Sequence, residues 1–405
     1  MDTTFLIIGG GQAGAQAVDT LRREGFDGRL VLIGEERELP YQRPPLSKKF
    51  LYGELAADRL PFRHQAFYDE HHVELRLGFK AVRLDRRARS AELDDGSRIG
   101  YDRALLCVGA GVRRLGCRGA DLAGVHYLRT LADSDAIRAQ MHAGARAIIV
   151  GGGYIGLEAA AACRHFGLET TVIEMADRPM ARVVSPEVSA YFAEAHRAHG
   201  VRIVCDARVD SIEGRERVEA VVCADGTRFA ADLVIVGVGA LPVTDLAAGA
   251  GLAVDNGIVV DEHCRTSDPA IFAAGDCTNH PSPRYGRRVR LESVDNAFEQ
   301  AKSAALNMLD RDVVHDRVPW FWSDQYEHKL LIVGLSSERD ERLLRGDPRR
   351  GSFSTLYLRN GELTAVEAVD DTKDYMTARK LIAAHARIDP AKAADKGRDL
   401  KDAAL

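Results

Sequence analysis

Two copies of one glycine-rich loop, one near the N-terminus and one well inside the chain, constrain this protein more than any other feature. The first is Gly9-Gly10-Gly11-Gln12-Ala13-Gly14 and the second is Gly151-Gly152-Gly153-Tyr154-Ile155-Gly156. Each follows a short apolar run, 5–8 and 147–150, and each opens an alanine-rich segment that reads as a helix. This is G-x-G-x-x-G in the setting it needs, with a strand before and a helix after. The first glycine of such a loop permits a tight turn, and the second lets the backbone approach a pyrophosphate. The third lets helix and strand pack closely while the helix N-terminus faces the anion. One such loop alone says little. Two, each followed by an acidic residue, imply two bound dinucleotides, and two dinucleotides side by side imply that one passes electrons to the other.

A chain of 405 residues has room for two or three domains. Its net charge of −5 gives no reason to expect nucleic acid. No apolar run approaches the length of a membrane span. The N-terminus enters a strand almost at once, without a basic leader or a long apolar stretch, so no signal peptide is expected and the expected location is cytoplasmic. The seven cysteines, at 107, 117, 163, 205, 223, 264 and 277, form no C-x-x-C or C-x4-C pair. That argues for a reducing compartment and against a disulfide framework, a zinc site or an iron–sulfur cluster, so no metal is expected. It also excludes a flavin–disulfide relay between two close cysteines, and electrons must leave a flavin by another route.

The first unit reads as a strand over 5–8, a helix over 13–23 and a strand over 29–33. Glu35 follows that second strand, where a carboxylate can accept hydrogen bonds from ribose hydroxyls. The stretch 39–48 contains Pro40, Pro44 and Pro45, which forbid a regular helix or central strand. Residues 83–99 read as a hairpin turning near Asp95-Gly96. The second unit repeats the plan with a strand over 147–150, a helix over 154–166 and a strand over 169–173. Glu174 stands at the end of that last strand, in the place that Glu35 holds in the first unit. A strand over 233–236 ends at Gly237, and a strand over 271–273 runs into Gly275-Asp276. From 319 onward, short strands precede a helix over 374–385, and the charged stretch 392–405 reads as prone to fray.

The first loop, Gly9, Gly11, Gln12, Ala13 and Gly14, with Glu35, is expected to hold the ADP half of FAD. The second, Gly151, Gly153, Tyr154, Ile155 and Gly156, with Glu174 and Gly237, is expected to hold the adenosine half of NADH. An acid at position 174 favours a free 2′-hydroxyl over a 2′-phosphate. Arg178 and Arg182 follow it, and Arg182 counts as a further cofactor contact that leaves NADPH open. Asp276 is placed to hydrogen-bond the hydroxyls of the flavin's ribityl chain, although a helix N-cap would use the same residue type.

Five blocks in order carry a wider resemblance: Arg43-Pro44-Pro45-Leu46-Ser47-Lys48, Gly153-Tyr154-Ile155-Gly156-Leu157-Glu158, Ala274-Gly275-Asp276, Leu291-Glu292-Ser293-Val294 and Pro319-Trp320-Phe321-Trp322-Ser323-Asp324-Gln325-Tyr326. The chain resembles the oxygenase-coupled, NADH-dependent ferredoxin reductases over nearly its whole length. The first and last blocks are specific to that group, whereas the glycine loops are shared with many flavoproteins. The resemblance implies an α/β fold of two Rossmann-like dinucleotide-binding domains, of the glutathione-reductase-like flavoprotein kind, plus a C-terminal α+β domain. The implied division is 1–112 with 241–318 for FAD, 113–240 for NADH, and 319–405 as an interface domain.

It further implies that Lys48 lies near flavin N5 and O4, paired with Glu158, and that Arg43, Arg129 and Val294 also contact the flavin. A cation beside the arriving hydride would favour reduced flavin. Tyr154 is implied to cover the isoalloxazine face, Glu292 to help seat the nicotinamide, and Trp322 to lie beside the flavin ring. Taken singly, Lys48 would read as a surface lysine, Tyr154 as a core aromatic and Trp322 as structural. One departure is Cys107-Val108-Gly109-Ala110, where many flavoproteins have A-T-G-A, so a threonine hydroxyl is missing.

The implied activity is hydride transfer from NADH to FAD, then single-electron transfer to a 2Fe-2S ferredoxin serving a cytochrome P-450. Arg284, Arg287, Arg288 and Arg290 form a candidate docking patch for an acidic ferredoxin, with a solvated loop as the plain alternative. A rubredoxin or a Rieske dioxygenase's ferredoxin remains open as the acceptor. An apoptosis-inducing-factor-like binding flavoprotein would be expected to carry long basic insertions. A peroxidase of the sulfenic-acid type would need a cysteine just after the R-P-P block, and none precedes Leu106.

Overall fold

The apolar run after the N-terminus forms the strand Thr4–Ile8, whose residues are nearly all buried. Its side chains alternate between two apolar clusters, Phe5 and Ile7 in one and Leu6 and Ile8 in the other. Burial on both faces is what a central parallel strand requires, and it explains why the run is uniformly apolar. The computed structural model describes residues 3–405 and divides into two compact units.

The first unit comprises residues up to Gln42, Ala57–Gly111 and Leu241–Arg317. It holds a five-stranded, all-parallel Rossmann-like sheet in the order Ile271–Ala273, Arg103–Leu106, Thr4–Ile8, Arg29–Gly34, Val73–Leu77. One face is covered by the helices Gln12–Arg23 and Val294–Asn307. The second of these is capped by Ser293, which accepts from the Asn296 N–H. It presents Ala297, Ala301, Ala304 and Ala305 to the shared core, where small side chains allow close approach. The other face is covered by an antiparallel sheet of Ala81–Asp85, Ser90–Leu93 and Arg98–Gly100. The expected hairpin over 83–99 is therefore three strands, with Asp95-Gly96 turning only the last two. Residues 86–89 make a second reversal, with Arg89 at a positive φ of 48°.

The second unit comprises Arg43–Ala56, Val112–Ala240 and Val318–Leu405. Its parallel Rossmann-like sheet runs Arg202–Val204, Glu169–Ile173, Arg146–Val150, Leu233–Val236, Val125–Tyr127. The helix Tyr154–His165 follows the second glycine loop, and Pro186–Ala198 is capped by Ser185. An antiparallel sheet follows, in the order Trp320–Gln325, His328–Gly334, Glu362–Val369, Ser352–Arg359, Glu341–Asp347, with the helix Thr372–Ala383 on its core. The C-terminal stretch does not fray as expected. Pro390–Ala394 is helical, Leu400 and Ala403 are buried in that core, and Leu405 N–H donates to the Arg387 carbonyl. The alanines that suggested a loose tail are the small residues that let it pack. Among the described residues, no helix is long and apolar enough to cross a membrane.

Candidate functional site

The first loop is shaped by what its glycines avoid. Gly9 has φ +121°, and a Cβ there would lie 2.1 Å from the Cys107 carbonyl oxygen. A Cβ on Gly14 would lie 1.9 Å from the Gly9 oxygen. Gly11, by contrast, has open space where its Cβ would be, and it caps the Gln12–Arg23 helix without any side-chain bond. The N–H groups of that helix's first turn lack intrahelical partners and face this opening, which suits an anion.

Gly275, at φ +86°, sets its turn against the same helix, with a Cβ there only 3.3 Å from the Ala13 Cβ and 3.7 Å from the Ala297 Cβ. The loop, Gly275-Asp276 and the Val294 end of the Val294–Asn307 helix are thus brought together. Buried Gln300 fixes that turn by accepting from Gly275 N–H at 2.8 Å and Thr278 Oγ1 at 2.8 Å. Gln300 escapes a sequence reading because no motif marks it. Glu35 is exposed at the strand end, paired with Lys80 at 3.1 Å, while neighbouring Glu36 accepts from Tyr41 OH at 2.6 Å. Two acids therefore stand at the expected place, and these residues fit an ADP moiety.

The second loop repeats the geometry. A Cβ on Gly151, φ +100°, would meet the Gly237 oxygen at 2.5 Å, and one on Gly156 would meet the Gly151 oxygen at 2.0 Å. Gly153 is open, its nearest neighbour being the Gly237 oxygen at 4.0 Å. Glu174 accepts from Gly152 N–H at 2.6 Å and from Ala176 N–H at 2.8 Å. Its carboxylate braces the loop from below and keeps lone pairs for a ribose. Arg178 is turned inward on the carbonyls of Ala181 and Val184, at 3.0 and 3.1 Å. Arg182 is exposed near Gly239. These residues fit an adenine dinucleotide with a free 2′-hydroxyl.

Also within the second unit, the proline-rich segment docks beside the Tyr154–His165 helix. Its residues Pro44–Ser47 form a 3-10 turn, Arg43 donates to the Arg129 carbonyl at 2.8 Å, and Ser134 donates to that of Leu46 at 2.9 Å. This turn delivers Lys48 to Glu158, Nζ to Oε2 at 2.7 Å, with side chains 17% and 4% exposed. Ser47 Oγ donates to the same oxygen at 2.5 Å, and Ser323 Oγ to Oε1 at 2.6 Å.

The strand Trp320–Gln325 meets the helix in register. Two strand residues rise roughly 7 Å and four helix residues about 6 Å, so i, i+2 faces i, i+4. Phe321 lies on Tyr154, centroids 4.6 Å apart, as Ser323 meets Glu158. Trp322, on the alternate face, packs with Trp320 at 5.5 Å against the C-terminal core. Tyr154 OH donates to the Val183 carbonyl at 3.3 Å, and burial raises its pKa well above that of a free tyrosine.

Glu292 lies in the first unit, exposed and ion-paired with Arg290. The expected four-arginine patch is not four free cations. Arg288 donates to the Val260 carbonyl at 2.7 Å and to Asn279, and Arg290 is held by Glu292, whereas Arg287 is exposed. Short spacing in sequence could not reveal that alternate strand residues serve the fold. All seven cysteines are free thiols. Burial raises the pKa of every one, to about 12 for Cys163 and Cys277, so none is poised as a thiolate nucleophile.

The pattern of the pyridine nucleotide-disulphide oxidoreductases matches residues 3–301, and that of the reductase C-terminal domain matches 320–404. The chain belongs to the pyridine nucleotide-disulphide oxidoreductase family. It is an oxidoreductase that uses FAD and NAD(H). It is 44% identical over 401 residues to the ferredoxin reductase subunit of 5,5′-dehydrodivanillate O-demethylase from a Sphingobium species, covering 98% of this chain and 97% of that one. The crystal structure of the covalent putidaredoxin reductase–putidaredoxin complex matches with a TM-score of 0.96 and 39% identity, over 99% of this chain and 97% of the other. The ferredoxin reductase for the CYP199A2 system from Rhodopseudomonas palustris matches with a TM-score of 0.96 and 41% identity, over all of both chains. The chain is thus closely similar to putidaredoxin reductase and to ferredoxin reductases of oxygenase systems.

Proposed function

We propose that this protein is an FAD-containing NADH:ferredoxin reductase that supplies a 2Fe-2S ferredoxin and, through it, a cytochrome P-450 monooxygenase. The observation that carries the reading is the pair of matched anion-binding loops, each open at its second motif glycine, in a chain whose thiols are all raised in pKa. When bound, NADH supplies a hydride and FAD accepts it and releases electrons singly. The relatives, a ferredoxin reductase subunit, a reductase joined to putidaredoxin and a reductase for the CYP199A2 system, support a ferredoxin as acceptor.

The FAD-binding residues are those of the first loop with Glu35, Arg43, Lys48, Gly275, Asp276 and Val294, in a domain of residues 1–112 and 241–318, with Arg129 added from 113–240 and Trp322 from 319–405. The NADH-binding residues are those of the second loop with Glu174, Arg182 and Gly237, in 113–240, while 319–405 forms the interface domain. Glu158 holds the Lys48 ammonium so that a positive charge stands ready where negative charge develops. Tyr154 and Glu292 orient the nicotinamide, since hydride transfer depends on holding donor and acceptor about 3–3.5 Å apart.

The test is NADH oxidation coupled to cytochrome c, with and without a 2Fe-2S ferredoxin. Strong stimulation by ferredoxin, with NADPH a poor substitute, is expected. Bleaching of flavin by NADH without stimulation would leave the cofactors standing and move rubredoxin, or a binding role, to the front.

A further inference from the structure

We propose that Ser323, Gln325 and His196 are positioning residues that hold the Glu158 carboxylate, and through it the Lys48 ammonium, by a buried hydrogen-bond chain of one direction. The inference rests on the reading of Lys48 and Glu158 as the pair serving hydride transfer, and it deepens that reading.

The chain is continuous and lies wholly in the second unit. Ser323 Oγ sits 2.6 Å from Glu158 Oε1, Gln325 Nε2 3.2 Å from Ser323 Oγ, His196 Nε2 2.9 Å from Gln325 Oε1, and Tyr326 OH 3.3 Å from His196 Nδ1. Ser323, Gln325 and His196 are completely buried. Its direction follows from the first link. A carboxylate paired with an ammonium only accepts, so the Ser323 hydroxyl must donate to it. The serine lone pair then accepts from the Gln325 amide, which turns the amide oxygen toward the ring. That oxygen requires a proton on His196 Nε2, leaving Nδ1 to accept from the Tyr326 hydroxyl. Every donor therefore points toward Glu158, and such aligned bonds polarise one another.

The ring is suited to this single state. Burial pushes its pKa down to about 4, so it is neutral at pH 7 and keeps one proton. The far end is braced by His199, stacked on Tyr326 with centroids 3.7 Å apart. The fold supplies the reason the links meet. Ser323 and Gln325 alternate with Trp322 and Asp324, so both face the helices Tyr154–His165 and Pro186–Ala198, which carry Glu158 and His196.

The test uses the holoenzyme labelled with 15N-histidine. At pH 7 the His196 resonances, assigned by their loss in His196→Gln, are expected to report a neutral ring with the proton on Nε2. An Nδ1–H tautomer or a charged ring in the unmutated enzyme overturns the proposal. In stopped-flow reduction by NADH, Ser323→Ala is expected to slow flavin bleaching by about 10- to 100-fold, the effect of one hydrogen bond to a charged group. NADH affinity is expected to change little, and Ser323→Thr to restore the rate. Slow bleaching in Glu158→Gln beside a normal rate in Ser323→Ala overturns the positioning chain alone. A normal rate in Glu158→Gln overturns the underlying reading of the pair, and the chain's role with it.

Discussion

Gly153→Ala and Gly11→Ala separate the two dinucleotide sites without disturbing the fold. Gly153 has φ −77° and ψ −177°, and Gly11 has φ −89° and ψ −163°, both extended backbone that alanine adopts freely. A Cβ on Gly153 reaches no protein atom nearer than 4.0 Å, and one on Gly11 meets nothing within 4 Å. Neither substitution therefore strains the apoprotein, and loss of glycine's freedom in the unfolded chain stabilises it by about 0.4–1 kcal/mol. What each methyl does occupy is the space a pyrophosphate needs to reach the helix N-terminus.

Pushing the phosphate out of hydrogen-bond range removes at least one charge-assisted bond of roughly 1.5–3 kcal/mol. Each 1.4 kcal/mol is about tenfold in affinity, so a weakening of roughly 10- to 150-fold follows. The assays are NADH affinity by stopped-flow saturation and FAD content after dialysis, with thermal melting of the apoprotein as the control. Gly153→Ala is expected to weaken NADH and retain FAD, and Gly11→Ala to shed FAD. Wild-type affinity for both ligands in both variants would refute the claim that the second glycine marks the pyrophosphate's approach. The opposite pairing would exchange the two sites.

Glu158→Gln leaves the largely buried Lys48 ammonium without its partner, and a loss of about 3–5 kcal/mol of stability, read as a lower urea midpoint, is expected. Glu174→Ala removes acceptors from two loop N–H groups and is expected to weaken NADH about tenfold while FAD content stays constant, measured by the same saturation. Burial lowers His196 and His280 to about 4 and His315 to about 3, below the ordinary value of 6.5. The unfolded chain then binds more protons, so this stability is full above pH 6.5 and is lost as pH falls toward 4 and, for His315, 3. Urea midpoints at pH 7, 5.5 and 4.5 should fall in that order. Arg287→Glu is expected to raise the KM for ferredoxin and leave NADH reduction of the flavin unchanged. Arg288→Glu should in addition lower the melting temperature, because Arg288 bonds Val260 and Asn279.

The elements legible from sequence are those with a local physical signature. The strand at Leu233–Val236 and that at Ile271–Ala273 fall where uninterrupted apolar runs place them. The Val294–Asn307 helix is hard to read because its buried face is alanine, asparagine and glutamine, which carry little apolar contrast, although Ser293 supplies a proper cap. The hairpin reading over 83–99 is one strand short because Arg89 turns the chain without glycine, and only Asp95-Gly96 advertises itself. The tail misleads for a related reason. Its buried alanines, Ala393 and Ala403, pack among residues of earlier strands and of the Thr372–Ala383 helix, and composition shows none of those neighbours.

The sequence by itself determined the two cofactor loops, since a glycine is required wherever a Cβ would strike the backbone, and that requirement is local and written residue by residue. It also marked Lys48, Glu158 and Ser323 as members of recurring blocks. The resemblance already implied that Lys48 and Glu158 pair, and only the tertiary structure decided that Ser47 and Ser323 join them and that Gln325 and His196 extend them. The segment Arg43–Ala56 folds with a helix far along the chain, where Ser47 and Glu158 touch. A hydrogen bond between such distant residues depends on strand register and helix phase together, and neither is encoded at any one position.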